Sequence, residues 1–440
     1  MSAFDPLSED PIELLVELLE EEDLMDAEVM DSSSSEEEET QKKRRYEKSP
    51  NKNRDFASPY QRLIAHYFNG RESLYSEADF ERRFRCPRDI FGKIERAVMG
   101  SGPFQQKKDA TGKMGIHPLV KLVGCFRFLA YGDSYDREDK NLHIAESTLR
   151  VYVQEFAKLV VKEFGPVYLN RPPTPTEKFN LSRVMAAKGF PGCMGSWDCK
   201  HFVWKNCPMR LAGQHQGHSD GGKKTLILEA ISDHRRYIWQ CNFGDAGSAN
   251  DLNVLDKSSI VGSMLNGTLD LSIAPYDIDG NGTMRDWMYF LVDGIYPEWA
   301  IFVNTFSSKD DPKKKKFATR QEKVRKDVEC AFGVLVARFH VLDRPLRGWY
   351  LEDIKNLLHC CVIIHNMTIE YRQGVIGEVE VGVTPAHALF GRSAITPAEA
   401  AFDGIDIWAA RVAAFDAAMT SSYCHFLLKK DLVEHINKSF

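Results

Sequence analysis

The sequence lacks several features that would place it in a common protein class. No apolar run approaches the about 18 residues that a membrane span needs, which predicts no integral membrane protein and no membrane partner. The N-terminus lacks the basic segment and apolar stretch of a secretory signal, and the ten cysteines include no CxxC pair. We therefore expect a reduced intracellular compartment and no disulfide framework.

Basic residues are missing from the first 40 positions, which contain 16 Asp or Glu and no Lys or Arg. The remaining 400 residues therefore contain 57 basic and 47 acidic side chains, a net charge of +10. A basic body suits a polyanionic partner such as DNA, although many cytosolic enzymes reach similar values.

The length of 440 residues exceeds what one core usually holds, so we predict two folded units with tails. Residues 32–59 are too polar and charged to repay the entropy of ordering, so we predict a disordered N-terminal arm over residues 1–59. This arm contains an acidic amphipathic stretch at residues 11–30 and a basic cluster at residues 42–45, a candidate nuclear-import or DNA-contacting patch. Residues 373–440 form a C-terminal tail of unknown role.

Residues 60–180 have apolar side chains at helical spacing, which predicts an all-α domain. One predicted helix begins at Ser76 and ends at Gly100, and another begins near Ser147. Residues 126–131 and 147–164, joined by a short turn, could form a helix-turn-helix with Arg150 facing the major groove. A plain helical bundle is the alternative.

From about residue 189 the pattern changes to strands. Three runs rich in β-branched and aromatic residues, at 194–205, 223–233 and 235–244, predict consecutive antiparallel strands. A helix capped by Ser248 should follow at 248–265, then a fourth, buried strand at 288–296 and two long helices at 313–342 and 351–372. The predicted order is β-β-β-α-β-α-α.

Three carboxylates fall where these elements should meet. Asp198 lies in the first predicted strand, Asp293 ends the fourth, and Glu329 lies on one long helix on the face of Arg325. If the first and fourth strands are neighbours, the three acids converge and repel one another unless cations intervene. Hard oxygen ligands favour Mg²⁺ or Mn²⁺, and two such ions can promote in-line phosphoryl displacement.

The motifs that contain these acids resemble, in order, those of Harbinger-type (plant transposon protein) DDE transposases, within the DDE superfamily of endonucleases. They read GCMGSWDCKHFVWKNCP, NFGDAGSANDLNVLDKS, FLVDGIYPEWAIFV and QEKVRKDVECAFGVLVARF, and the resemblance covers roughly residues 191–372. It implies an RNase H-like nuclease domain at 189–372, with a mixed sheet flanked by helices.

The resemblance also implies that Asp198, Asp293 and Glu329 are both the catalytic residues and the metal ligands. It implies a nuclear enzyme that cuts and joins DNA, usually with a separate Myb-like DNA-binding protein; self-association into a homo-oligomer stays open. Trp197 and Cys330 depart from the residues that the family commonly has beside its acids.

Further basic residues are candidate DNA contacts, because they accompany a phosphodiester-cleaving centre on a basic body. The alternative function is a domesticated, transposase-derived factor that binds DNA or protein without strand transfer, and a hydrolase of small phosphate compounds is a third class. The candidate DNA-binding residues are Lys205, Lys223, Lys224, Arg150, Lys313, Lys314, Lys315, Lys316 and Arg325.

Overall fold

The computed structural model describes residues 52–217, 221–278, 280, 282–306, 311–380 and 417–440. Within 311–380, side chains are described up to residue 374. The described chain forms two compact units, which divide between Val160 and Val161. The predicted acidic stretch at 11–30 and the basic cluster at 42–45 lie outside the described residues. Among the described helices, none is long and apolar enough to cross a membrane.

The first unit is helical, as predicted, and aromatic rings fill its core. Phe80, Phe84, Phe91 and Phe126 are at most 1% exposed, and successive ring centroids lie 4.5 to 5.4 Å apart. Its helices are α1 (Ala57–Leu63, continued by a π turn, Ile64–Phe68), α2 (Glu77–Phe84), α3 (Arg88–Val98), α4 (Pro118–Tyr131), α5 (Arg137–Leu142) and α6 (Glu146–Tyr168), which crosses the boundary.

The helix predicted from Ser76 to Gly100 is two helices in the structure. Ser76 does cap α2, through a capping box with Asp79. The chain then leaves the helix at Arg85, whose φ is 61°, and Pro87 precedes α3. The single-helix prediction was wrong because a proline cannot donate the backbone hydrogen bond and disfavours a helical residue before it.

The turn predicted between α4 and α6 was also wrong, because the short helix α5 occupies it. Its Glu138 is buried and pairs with Arg127 of α4 at 3.0 Å, which fixes α5 against its neighbour. Ser147 does not cap α6, since Leu149 donates its N–H to the carbonyl oxygen of Ala145. The helix-turn-helix therefore stays a prediction, with a connection different from the one expected.

The second unit is a mixed α/β structure built on a five-stranded mixed sheet flanked by helices. The sheet order is β3-β2-β1-β6-β7, in which β1 is antiparallel to β2 and parallel to β6. The strands are β1 (Cys193–Val203), β2 (Thr225–Ser232), β3 (Ile238–Ala246), β4 (Ser272–Asp277), β5 (Met284–Trp287), β6 (Tyr289–Leu291) and β7 (Phe302–Val303), and β4 pairs with β5 in a separate hairpin.

The predicted neighbour relation of the first strand and the strand before Asp293 is confirmed, because β1 and β6 are adjacent and parallel. Their pairing contains an irregularity between Cys193 and Gly195. A Cβ on Gly195 would lie 2.3 Å from the carbonyl oxygen of Ser232 on β2, so the strands can pack this closely only with glycine there.

Helices cover the two faces of the sheet. The remaining described helices of this unit are α7 (Pro175–Ala187), α8 (Ala212–His215), α9 (Asp251–Leu255), α10 (Ser259–Leu265), α11 (Pro312–Arg338), α12 (Leu351–Glu380) and α13 (Ser422–Ser439). Apolar side chains of α9 and α10 pack against one face, with Trp197, Phe290 and Phe302. On the other face, Phe317 and Val324 of α11 pack with α13. The last part of the predicted tail thus belongs to this core.

The helix predicted at 248–265 was wrong in its cap and its continuity. Asn250, not Ser248, caps α9 by accepting the N–H of Asn253, and Ser258 caps α10 by accepting the N–H groups of Ile260 and Val261. A chain with two strong caps can begin a helix twice, which divides the segment.

Candidate active site

Asp198 lies on β1 just past the point where β1 and β6 cease to pair. Ser196 opposite Leu291 is the last pair of these parallel strands, whereas Asp198 still pairs with Ala230 of β2 on the other side. Ser196, two residues earlier on the same face, donates its hydroxyl to the carbonyl oxygen of Val324 on α11 at 3.5 Å. The alternation of a strand therefore directs Asp198 toward α11.

Arg325 of α11 connects two of the three predicted acids. Its Nη1 lies 3.2 Å from Oδ2 of Asp198, and its Nη2 lies 2.8 Å from Oε1 of Glu329, one helical turn further along α11. The Arg325 and Asp198 side chains are only 13% and 16% exposed, and Glu329 is 44% exposed. One guanidinium thus holds two carboxylates that are distant in the sequence.

Burial raises the pKa of Asp198 to about 6. Desolvation of the charged form is the main cause; the Cys199 N–H and Arg325 oppose it, while the charges of Asp251 and Glu329 raise the pKa further. Desolvation of the Asp198 carboxylate therefore outweighs the positive charge of Arg325 beside it.

Asp293 follows β6, and its carboxylate accepts a hydrogen bond from the next residue in the chain. It is exposed, and its Oδ1 accepts the N–H of Gly294 at 2.7 Å. The last β1–β6 pair is Ser196 with Leu291. Two residues further in the same register, Asp198 of β1 lies level with Asp293. The strand ends place the two residues at the same edge of the sheet.

Asp251 is an acid of this region that the sequence analysis did not single out. It is the first residue of α9, and its pKa is raised, first by burial and also by the charge of Asp293. It in turn raises the pKa of Asp198, so its charge is felt at both predicted ligands. The helix-capping Asn250 before it was the only sequence signal. We call Asp198, Asp251, Asp293 and Glu329 the carboxylate site.

Glu229 is a second acid that sequence reasoning missed, and it lies within the core. Glu229 lies on β2, opposite Cys199 of β1, and is 1% exposed. Its Oε1 accepts the indole N–H of Trp197 at 3.1 Å, and its Oε2 accepts the hydroxyl of Ser258 at 2.8 Å. Burial raises the pKa of Glu229 to about 7. This carboxyl ties β1 and β2 to the cap of α10.

Gln321, one turn before Arg325 on α11, fixes the strands next to Asp293. Its side-chain amide donates to the carbonyl oxygens of Val292 and Val303, each at 2.9 Å. The residue is fully buried. Because Val292 directly precedes Asp293, α11 holds both the Asp198–Glu329 pair and the backbone that carries the third predicted acid.

The donor atoms of the carboxylate site are carboxylate oxygens, the type that Mg²⁺ and Mn²⁺ prefer. Within the described parts of the chain, however, no three His, Cys, Asp or Glu side chains are grouped closely enough to hold a metal ion. Asp198 and Glu329 have a cation between them, and that cation is Arg325. The donor chemistry agrees with a divalent metal, and the ligand assignment stays a prediction.

The basic side chains predicted to contact DNA have different surroundings. Lys205 and Lys223 are exposed and Lys224 is half-buried, in the segment between β1 and β2. Lys313 pairs with Glu434 at 3.2 Å, and Lys314 to Lys316 continue the exposed first turns of α11. Arg325 is engaged with the acids, and Arg150 belongs to the first unit. Their role in DNA binding stays a prediction.

Other polar and aromatic side chains of the second unit serve packing and backbone hydrogen bonding. Trp204 is 1% exposed and donates its indole N–H to the carbonyl oxygen of Gly348. Asn366 of α12 bonds both the N–H and the carbonyl oxygen of Ile238 on β3. His365 beside it contacts the carbonyl oxygen of Arg236. These side chains satisfy backbone groups at the junction of α12 and the sheet.

The fold and the site define a mixed α/β protein with acidic side chains at one edge of its sheet. Residues 167–375, which contain Asp198, Asp293 and Glu329, match the family model described as plant transposon protein. The match supports a transposon-derived protein. The search of curated proteins found no match, and neither did the search of solved structures.

Proposed function

We propose that the protein is a Harbinger-type DDE transposase, a metal-dependent endonuclease that cuts and joins DNA strands in the nucleus. The observation that carries the proposal is the meeting of Asp198 and Glu329 on one guanidinium, with Asp293 at the end of the adjacent parallel strand. The similarity of residues 167–375 to plant transposon proteins supports the same conclusion.

The strand order supports an RNase H-like interpretation of the second unit. Three antiparallel strands are followed by two strands parallel to the first, in the order β3-β2-β1-β6-β7. This arrangement brings acids from the first and fourth strands of the sheet to one edge, and α11 adds a third from across the sheet.

In the proposed mechanism, Asp198, Asp293 and Glu329 would hold the divalent ions. Bound Mg²⁺ or Mn²⁺ would activate the attacking oxygen and stabilise the leaving oxygen of an in-line displacement. The hydrogen bond from the Cys199 N–H orients the Asp198 carboxylate, and the Gly294 N–H orients Asp293. Water is the nucleophile for cleavage, and the released 3′-hydroxyl is the nucleophile for joining.

Exposed lysines of the second unit would bind the phosphate backbone. Lys205 and Lys223 before β2, and Lys315 and Lys316 on α11, are exposed on elements that also carry the carboxylate site or adjoin it. Such contacts position DNA without reading its sequence, so DNA binding should weaken steeply as salt rises. A Myb-like partner that supplies sequence recognition is consistent with this division of roles.

A plasmid assay tests the proposal without knowledge of the terminal repeats. We expect the purified protein to nick supercoiled plasmid DNA in Mg²⁺ or Mn²⁺ and Asp293→Asn to lose at least about 100-fold in rate, since charge stabilisation by one metal ligand is removed. Asp286→Asn, an exposed acid on β5, is the matched control and should nick normally.

DNA binding by the same proteins separates the candidate functions. Asp293→Asn should bind DNA at least as tightly as the wild type, because it removes a negative charge beside the phosphates. Nicking that survives in this variant would assign the activity to another site. A wild type that binds DNA with metal present and never nicks it would instead identify the domesticated binding factor.

A further inference from the structure

Arg325 occupies the position in which a cation would neutralise the predicted metal ligands. The two amino groups of its guanidinium are divided between the two acids, Nη1 on Asp198 and Nη2 on Glu329. The ion pair between Arg325 and Asp198 is mostly buried, whereas Glu329 is partly exposed to solvent. A fork of fixed donors is well suited to hold two carboxylates together.

Both oxygens of the Asp198 carboxylate already accept a hydrogen bond. Oδ1 accepts the N–H of Cys199 at 2.9 Å, and Oδ2 accepts from Arg325 at 3.2 Å. A divalent ion needs at least one of these oxygens at a much shorter distance, about 2.1 Å for Mg²⁺. The guanidinium and a metal ion would also repel each other at that spacing.

We propose that Arg325 is a built-in counter-ion that competes with the divalent metal for Asp198 and Glu329. Metal binding then requires the guanidinium to leave the carboxylates, and Arg325 sets the apparent metal affinity of the free protein. This inference rests on the proposed function for the identity of the ligands, but it concerns binding and not catalysis.

In the described structure the acids are arranged around Arg325 and not around a metal site. No three acids are assembled at metal-ligand spacing within the described residues, whereas the Asp198–Glu329 pair is held around Arg325. A metal-free site with unbalanced carboxylates would be destabilised by their mutual repulsion, and the guanidinium relieves it. Once displaced, the same guanidinium lies beside the carboxylate site with a free charge, where a DNA phosphate can take it up.

Titration calorimetry with MnCl₂ at an ionic strength of about 0.15 M tests the competition directly. Arg325→Gln removes the competing charge, so we expect it to bind Mn²⁺ about tenfold more tightly than the wild type, because the binding-competent state is no longer a minor one. Arg325→Lys keeps the charge but cannot bridge two acids with one planar group, so its affinity should lie between the two.

Lys326→Gln is the matched control, because it removes the same charge from an exposed neighbour on α11. Its Mn²⁺ affinity should stay close to that of the wild type, because salt screens the charge of an exposed lysine. The double variant Asp198→Asn with Arg325→Gln should lose the gain, because Asp198 is the ligand that Arg325 releases. Tryptophan fluorescence of each variant reports whether the second unit is folded, because no tryptophan precedes residue 161 in the sequence.

The proposal is overturned if folded Arg325→Gln binds Mn²⁺ no more tightly than the wild type, or if Lys326→Gln gains as much. It is also overturned if the double variant keeps the full gain. Absence of nicking together with the expected pattern of Mn²⁺ affinities would count against the proposed nuclease function alone, so the two failures are distinguishable.

Discussion

Individual acidic residues of the second unit differ mainly in how far water reaches them. Glu229 is 1% exposed, and its carboxylate accepts hydrogen bonds from the neutral side chains of Trp197 and Ser258. Burial therefore raises its pKa, to about 7 from an ordinary value of 4.5. Asp198, with Arg325 beside it, still has a raised pKa of about 6. Desolvation outweighs the favourable contacts at both residues.

The raised pKa of Glu229 predicts a pH-dependent stability. The folded state keeps the proton to higher pH than the unfolded state does, so stability falls as the pH rises from about 4.5 through about 7. The shift corresponds to a loss of about 3 kcal/mol when complete. Glu229→Gln should abolish most of this loss when urea unfolding is followed by tryptophan fluorescence at acidic and alkaline pH.

Glu352→Gln, an exposed acid at the start of α12, is the control for the same change of charge. It should keep the pH dependence of the wild type. An unchanged pH dependence in Glu229→Gln would mean that Glu229 is ionised in the folded protein near neutral pH.

At this scale the sequence could nominate residues but not their partners. Asp198, Asp293 and Glu329 stand out because they end or interrupt apolar runs within long motifs. Asp251 and Glu229 do not, because burial distinguishes them, together with the charge of Asp293 at Asp251 and the Trp197 indole at Glu229. The strand order decides these surroundings. The engagement of Arg325 with both acids likewise depends on where α11 crosses the sheet.

Among the elements, α11 is the one that organises the candidate site. It carries Gln321, Arg325 and Glu329 at successive turns, on the side that faces the ends of β1, β6 and β7. The spacing of four residues puts all three on one helix face. The same helix therefore fixes the backbone before Asp293 and neutralises Asp198.

We predict that Gln321→Met loosens this arrangement while preserving side-chain volume. The substitution removes two hydrogen bonds to the carbonyl oxygens of Val292 and Val303, which should cost about 2 kcal/mol of unfolding free energy. Nicking should fall together with stability, because the residue after Val292 is Asp293. Lys323→Arg, a change that keeps the charge of an exposed neighbour on α11, should leave both measurements unchanged.

Urea unfolding and plasmid nicking of the two variants provide the measurements. A Gln321→Met protein with wild-type stability and wild-type nicking would show that the two hydrogen bonds from Gln321 to Val292 and Val303 are dispensable.

Element order was largely predictable, whereas the breaks within elements were not. The three antiparallel strands, the buried strand before Asp293 and both long helices follow from apolar periodicity and length. The hairpin of β4 and β5 was missed, because its strands are short and partly exposed. The break at Pro87 was missed because the apolar helical spacing continues across it.

At the scale of the molecule, the C-terminal residues are part of the second unit. Helix α13 packs Leu428, Leu432 and Ile436 against the sheet face covered by α11. Its Asp431 pairs with the buried Arg285 of β5 at 2.5 Å, and Lys429 donates to Asn304 after β7. Sequence periodicity could not place this segment, because its partners lie on elements far away in the chain.

We predict that the second unit depends on α13 for stability. Leu432 is fully buried, so Leu432→Ala should lower the free energy of unfolding by about 3 kcal/mol through lost burial and a remaining cavity. Tyr423→Ala on the same helix is the control, since Tyr423 is 69% exposed and its loss should change stability by less than about 0.5 kcal/mol. Urea unfolding monitored by tryptophan fluorescence reads only the second unit. Equal stabilities of the two variants would show that α13 is peripheral, and truncation before residue 417 would then leave the carboxylate site intact.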